Sequence, residues 1–206
     1  MRVDRPGPGE ELNDGAVVDA RPAASVIVLR DAQDGPEVLL LQRTPEARFM
    51  GGAWVFPGGS VDAGDAGAES AGIRETREEA GLDLPDPGLL VPFSRWITPA
   101  QVKIRFDTWF FVARAPEGAS VTVDNTEVVD FRWLRPQAAL DAGTRDELTL
   151  VFPTIKHLEE LAAFASVDHA LEEARSRKVM PVEPRVLVDG GVARVLMPGE
   201  PGYDQV

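Results

Sequence analysis

Phe56-Pro57-Gly58-Gly59, followed further on by Arg74-Glu75-Thr76-Arg77-Glu78-Glu79-Ala80-Gly81-Leu82, is the stretch whose reading decides the fold. At about 100° of rotation per residue, Glu75, Glu78 and Glu79 fall within roughly a third of a helix circumference, with Ile73 and Ala80 on the opposite side. One face is acidic and the other is core. Like charges three and four residues apart cost an isolated helix about 0.2–0.5 kcal/mol per pair, so the trio calls for a cation. A hard divalent metal is the natural candidate, because oxygen ligands suit Mg²⁺ or Mn²⁺ far better than zinc.

Taken alone, Arg-Glu-x-x-Glu-Glu reads more plainly as a solvated face on which Arg74 and Arg77 balance the acids. The surroundings argue otherwise. A strand-like Ala53–Phe56 and the Pro57-Gly58-Gly59 turn precede the helix, and Gly81 ends it in the position that favours left-handed backbone. Loop, helix, carboxylates and stop together resemble the Nudix box, a pyrophosphate-hydrolysing motif whose pattern is Gly, five residues, Glu, seven residues, Arg-Glu-aliphatic-x-Glu-Glu-x-Gly-aliphatic. Its second half is met at Arg74, Glu75, Glu78, Glu79, Gly81 and Leu82, with Thr76 where an aliphatic is usual. The first half departs: Asp65 stands where the family has Glu, and eight residues separate it from Arg74. Asp65 is therefore expected to be a helix N-cap, outside the chemistry.

The resemblance implies that Glu75, Glu78 and Glu79 are catalytic and hold the metals, with a turn carbonyl, assigned to Gly59, as a further ligand. It also implies that Arg74 pairs with and orients a neighbouring Glu. Which group acts as base stays open. Gly58 and Gly59 carry a reading of their own, since backbone without side chains can approach a metal or a phosphate closely.

A second pattern lies upstream: Leu39-Leu40-Leu41-Gln42-Arg43-Thr44, three residues, Arg48, three residues, Gly52, three residues, Phe56-Pro57-Gly58-Gly59. It looks like the signature of coenzyme A diphosphatases within the Nudix superfamily, departing mildly at Leu41 and Thr44. Arg43 and Arg48 are its substrate-binding candidates, because guanidinium forks suit the diphosphate and 3′-phosphate of coenzyme A. The plainer alternative has Arg43 ending a strand and Arg48 lying along the surface. Arg21–Val26, Arg48–Val55, Trp96–Pro99, Arg105–Thr108 and, more loosely, Met197–Gly199 extend the likeness toward the peroxisomal-type branch and its bacterial relatives.

Composition narrows the classes. With 206 residues and 44% hydrophobic content, the chain suits one well-buried domain. A net charge of −13 argues against a general nucleic-acid binder, while leaving room for a small nucleoside-diphosphate-linked substrate neutralised by metal and a few Arg residues. No apolar run approaches the ~20 residues that span a bilayer, and no signal-peptide pattern opens the chain, so a soluble cytoplasmic protein without membrane partners is expected. The absence of Cys removes disulfides, zinc–thiolate sites and Cys nucleophiles.

Along the chain, residues 1–20 read as a mobile tail and 21–206 as one domain with a C-terminal extension from about residue 136. Strands are expected at Ala24–Leu29 and Val38–Leu41, paired across Asp34-Gly35-Pro36, then at Leu89–Trp96, Thr108–Ala113 and Val128–Leu134. Helices are expected at 66–80, Pro136–Ala142, Pro153–Phe164 and Val167–Arg177. Val186–Val188 and Val192–Leu196 read as a late hairpin around Asp189-Gly190-Gly191. With the resemblance, these elements imply an α/β/α sandwich on a mixed sheet with a C-terminal helical extension.

Glu127 is either an extra carboxylate at the site or a solvated residue before a strand. His157 and His169 lack metal-ligand spacing and read as surface or packing residues. Trp54, Trp96, Trp109 and Trp133 read as core, with Trp96 able to flank an adenine. The leading reading is a hydrolase cleaving coenzyme A or acyl-CoA to adenosine 3′,5′-bisphosphate and (acyl-)4′-phosphopantetheine. The alternatives are a Nudix hydrolase of ADP-ribose, dinucleotides or nucleoside triphosphates, and a non-catalytic nucleotide-binding regulator. Retention of all three helix carboxylates disfavours the regulator.

Overall fold

The computed structural model describes residues 11–47, 49–84, 88, 90–189 and 192–206. In chain order the elements are β1 (Arg21–Ala32), β2 (Gly35–Arg43), β3 (Trp54–Val55), β4 (Gly58–Ser60), α1 (Ala68–Ala80), β5 (Val91–Ile97), β6 (Phe106–Arg114), β7 (Val128–Leu134), α2 (Pro136–Thr144), α3 (Phe152–Leu161), α4 (Val167–Ser176), β8 (Pro181–Val182), β9 (Arg185–Asp189) and β10 (Val192–Leu196).

The unbroken buried run of β1, residues 23–29, dictates the layering, because a strand buried on both faces needs cover on both. Its alternate side chains feed two cores. Ile27 and Leu29 join Leu40, Phe93, Leu158 and Leu171, whereas Val26 and Val28 join Leu39, Leu41, Ala71 and Ala80. The first core is closed by α2, α3 and α4, the second by α1. Between them the sheet runs β3-β2-β1-β6-β5-β8, with β4 paired to β1 and β7 to β2. β1 pairs with β6, and β5 with β8, in parallel; the other pairs in this sheet are antiparallel. The mixed-sheet α/β/α sandwich expected from the sequence is the architecture found, and Leu29 faces Val38 in the first hairpin.

Helix α1 lies close on the sheet. A Cβ on Gly72 would come within 2.9 Å of Val26 Cγ2, so only glycine fits there without a shift. Buried Thr76 donates its hydroxyl to the Gly72 carbonyl at 2.7 Å, which lets a polar residue occupy a position suited to an aliphatic.

Three expectations change, and one strand is added. Helix α1 begins at Ala68, with Gly67 as its N-cap and Ser70 Oγ bonded to the Gly67 backbone, so Asp65 is not the cap. Gly58–Ser60, expected as a turn, is a short strand against Ser25, Ala24 and Ala23. The two-residue β8 is too short to leave a periodic signal. The expected mobile tail gives way in its second half: Leu12 bridges Val102, Asn13 bonds Ala100 and Gln101, and the Val18 carbonyl accepts from Arg105. Leu89 and the Gly190-Gly191 turn lie outside the described residues. Among the described residues, no helix is long and apolar enough to cross a membrane.

Candidate active site

Pairing of β4 with the start of β1 brings Gly58 and Gly59 against the acidic face of α1. A Cβ on Gly58 would clash with the Ala24 carbonyl oxygen, and one on Gly59 with Glu75 Oε1. Gly58 is therefore required by backbone, whereas at Gly59 a side chain would displace the Glu75 carboxylate.

Arg74 is the organising residue. Its Nε and Nη2 donate to the two Asp65 oxygens at 3.2 and 3.0 Å, its Nη1 to Glu75 at 2.8 Å and Glu78 at 3.0 Å, and its Nη2 also to the Ser60 carbonyl at 3.0 Å. All five guanidinium donors are engaged. The hydrogen bonds to Asp65 contribute most to raising the Arg74 pKa, and reciprocally the Arg74 bond holds Asp65 below the usual carboxylate range, helped by the Asp62 amide. Asp65 thus fastens the catalytic-loop side of the arginine. Sequence reasoning missed this role, although the position of Asp65 at the motif's first acid was the available signal.

The three helix carboxylates differ sharply in setting. Glu78 is exposed, Glu75 is half-buried, and Glu79 is 4% exposed. Glu79 Oε2 accepts the Gly58 N–H at 2.9 Å, and Arg43 Nη1 lies 3.9 Å from its other oxygen. Burial pushes the Glu79 carboxyl up to about 8, against the Gly58 hydrogen bond and Arg43, while Glu75 and Glu127 add to the rise. Burial likewise raises Glu75, opposed by Arg74, and Glu78 and Glu127 push in the same direction as burial. The expected split between an acidic face and a core face is therefore incomplete: Glu79 lies at their border and Ile73 is only partly buried.

Glu127 is placed by the loop before β7. The Asp124 carboxylate accepts from the backbone N–H groups of Thr126, Glu127 and Val128, fixing the turn that carries Glu127 toward Glu75 and Glu79. Glu127, Arg43, Gly58, Gly59, Arg74, Glu75 and Glu78 line one cavity of about 590 Å³, and Glu79 stands behind its wall. Arg43 closes β2 and lines this cavity, its Nε buried and, among the described residues, without a hydrogen-bond partner. Arg48 lies outside the described residues.

An all-oxygen donor set fits a hard divalent cation. So do two carboxylates held above their ordinary range by burial and mutual repulsion, since a counter-charge would relieve both effects. Among the described residues, no three carboxylate or imidazole groups form a finished cage, because Arg74 holds Glu75 and Glu78 while Glu79 faces Gly58.

Residues 19–153 match the sequence profile of the NUDIX domain. The chain belongs to the Nudix family. A Caenorhabditis elegans protein named nudix hydrolase 7 is 24% identical over 221 aligned positions, covering 89% of this chain and 74% of its own length. Acyl-coenzyme A diphosphatase NUDT19 of Xenopus laevis is 33% identical over 89 residues, 41% of this chain but only 23% of the frog enzyme. The crystal structure of a NUDIX hydrolase from Alicyclobacillus acidocaldarius superposes with a TM-score of 0.69 at 25% identity, covering 76% of this chain and 97% of that one. This Nudix chain is thus a hydrolase by family, with the box carboxylates and their arginine assembled beside one cavity.

Behind the cavity wall, His157 is 2% exposed, its ring 4.3 Å from that of Phe110 and 5.6 Å from that of Trp96. Nδ1 lies 2.6 Å from the Pro153 carbonyl, which can only accept, so Nδ1 carries the proton and Nε2 accepts from Ser94 Oγ at 2.6 Å. The packing role expected for His157 is the one found. Burial holds the imidazole down to about 4, with the Pro153 bond opposing and Arg177 assisting. Between that value and 6.5 the unfolded chain binds a proton that the native chain refuses. The stabilisation by neutral His157 is therefore complete above pH 6.5 and is lost as the pH falls toward 4. Compared by urea melts with His157→Gln, whose side chain does not titrate, the wild type should lose about 2 kcal/mol of its advantage between pH 7.5 and pH 5. Taking the difference cancels the opposite slope from Glu79. A gap that does not change with pH would show that His157 charges freely in the native protein.

Proposed function

We propose that this Nudix hydrolase cleaves the diphosphate of coenzyme A or acyl-CoA, giving adenosine 3′,5′-bisphosphate and (acyl-)4′-phosphopantetheine, with Mg²⁺ or Mn²⁺ held by Glu75, Glu78, Glu79 and the Gly59 carbonyl. The observation that carries the substrate reading is Arg43, a guanidinium that lines the catalytic cavity and whose buried Nε has no acceptor among the described residues. A guanidinium that lines the cavity suits a phosphate oxygen, which its Nη groups would meet from the cavity side. The coenzyme A-type spacing from Leu39 to Gly59 and the partial likeness to the frog acyl-CoA diphosphatase support the same reading.

When bound, a divalent cation supplies positive charge to the phosphoryl oxygens and acidifies water. The chain's own groups do the positioning. Arg74 fixes Glu75 and Glu78 from one side, and the Gly58 N–H fixes Glu79 from the other. The water oxygen adds to phosphorus, the bridging P–O bond breaks, and the proton released passes to a carboxylate of this cluster. Arg43, and by the sequence pattern Arg48, bind substrate phosphate.

If Arg43 meets the 3′-phosphate, kcat/KM for coenzyme A should exceed that for dephospho-CoA, ADP-ribose and NADH. Arg43→Ala should then erase the preference for coenzyme A over dephospho-CoA, a loss on the order of 1.5–3 kcal/mol for a charged hydrogen bond. Steady-state kinetics on this panel decide the matter. Equal rates on coenzyme A and dephospho-CoA would remove the 3′-phosphate contact, and a clear preference for ADP-ribose would transfer the activity to a different nucleoside diphosphate.

A further inference from the structure

We propose that the part of the cavity away from the box is a pocket for a linear, apolar acyl chain, and that the C-terminal hairpin β9–β10 is its specificity-determining wall. The inference rests on the coenzyme A reading above.

Charge is distributed unevenly around this cavity. Every charged residue described in its lining comes from β2, the loop and helix of the box, or the loop before β7. The remaining lining, including Trp96, Phe106, Phe110, Phe152, Val186 and Val195, is uncharged. Sheet order gives this division a direction. From β1, against which the Gly58-Gly59 strand lies, the succession β6 then β5 carries the lining across two strand spacings, about 10 Å, to Trp96 and Ile97.

A substrate cut at its diphosphate extends both ways from the scissile bond. The nucleotide half of coenzyme A carries a 3′-phosphate, and none of the described residues that line the apolar side is a cation, since Arg21 packs its guanidinium over the Phe106 ring and is not part of that lining. A phosphate buried against this lining would be left unsatisfied. The pantetheine half is neutral and ends in a thioester and a hydrocarbon chain. Only that half suits a wall of aromatic and branched aliphatic side chains.

One side of the wall lies outside the common domain. The Nudix profile ends at residue 153, whereas Thr154, Pro184, Val186 and Val195 follow it. These residues are held in place. Arg105, 9% exposed, donates to the Thr98 and Val18 carbonyls and to Glu183. The Tyr203 hydroxyl donates to the Glu183 carbonyl, and Arg185 donates to the carbonyls of Tyr203 and Val206. The hairpin is tied at its base to both the core domain and the C-terminal residues, as a fixed wall requires.

The test is kcat/KM for coenzyme A and its acetyl, hexanoyl and octanoyl thioesters, with ADP-ribose alongside, on wild type, Val195→Asp and the milder Val186→Thr. Each methylene that enters the pocket multiplies kcat/KM by at most about fourfold. The octanoyl-to-coenzyme A ratio in the wild type should be at least about tenfold, and it should fall to within about threefold in Val195→Asp and to an intermediate value in Val186→Thr. Because the ratio is taken on one enzyme sample, it does not depend on the folded fraction. Should Val195→Asp be inactive, Val195→Thr gives the same reading. A wild-type ratio near one, with coenzyme A turned over, would overturn the pocket and leave the coenzyme A reading standing. A slope that survives both substitutions would also overturn it. Hydrolysis of ADP-ribose with no coenzyme A thioester accepted would overturn both.

Discussion

Glu79→Gln is expected to fold as the wild type does while turnover falls by about 10²–10⁴-fold. The side chain is nearly isosteric, and its amide oxygen can still accept the Gly58 N–H that Glu79 Oε2 now accepts at 2.9 Å. What disappears is a buried carboxyl that a bound cation would hold ionised. Burial already pushes the Glu79 carboxyl to about 8, so in metal-free protein the neutral amide should be at least as stable at neutral pH and above. Circular dichroism and urea melts would establish the fold, and kcat on the coenzyme A panel would establish the loss. A folded variant with near-normal turnover would reduce the acidic side of α1 to a charged surface.

Divalent metal is expected to raise the melting temperature of the wild type, by about 5–10 °C at a concentration a hundredfold above its dissociation constant. Glu75 and Glu79 both sit above their ordinary range, with burial as the largest cause and neighbouring carboxylates adding to it. A cation that relieves this binds the native state selectively. The shift should shrink in Glu79→Gln, tying the thermal effect to the same carboxylates as turnover. Chelator should abolish activity without unfolding the domain, whose two cores are hydrophobic and independent of the metal. If millimolar Mg²⁺ or Mn²⁺ altered neither melting temperature nor rate, the metal assignment would fail.

The parts of the fold legible in the sequence were those written in local pattern. The apolar run Ala24–Leu29 spelled out a strand, though not its cover on both faces, and Val128–Leu134 carried enough branched and aromatic residues to be read to its exact ends. Pairings made by backbone alone were not legible. Gly58–Ser60 has no side-chain pattern of a strand, and its ladder with β1 exists because residues 23–25 lie there to receive it. The start of α1 was misread because Asp65 has the side chain of an N-cap, whereas Arg74, a turn and a half into the helix, competes for both its oxygens. The box placed Glu75, Glu78, Glu79 and Arg74 on one helix, but spacing could not reveal that their burial ranges from exposed to 4% exposed. Burial is set by the strands beneath, and those are distant in sequence. The docking of residues 11–18 and the clasp at Arg105 were invisible for the same reason: each joins segments that share no local signal.

The cavity is assembled from residues as far apart in the chain as Leu12 and Val195. During synthesis, α1 and its carboxylates leave the ribosome well before β9 and β10, an interval on the order of ten seconds at ordinary elongation rates. A nascent chain therefore has the acidic helix of the box before it has the far wall of its cavity, and β9 and β10 add that wall later. A released chain ending before residue 184 should consequently carry the acidic face of α1 while lacking Pro184, Val186 and Val195, and with them one side of the cavity.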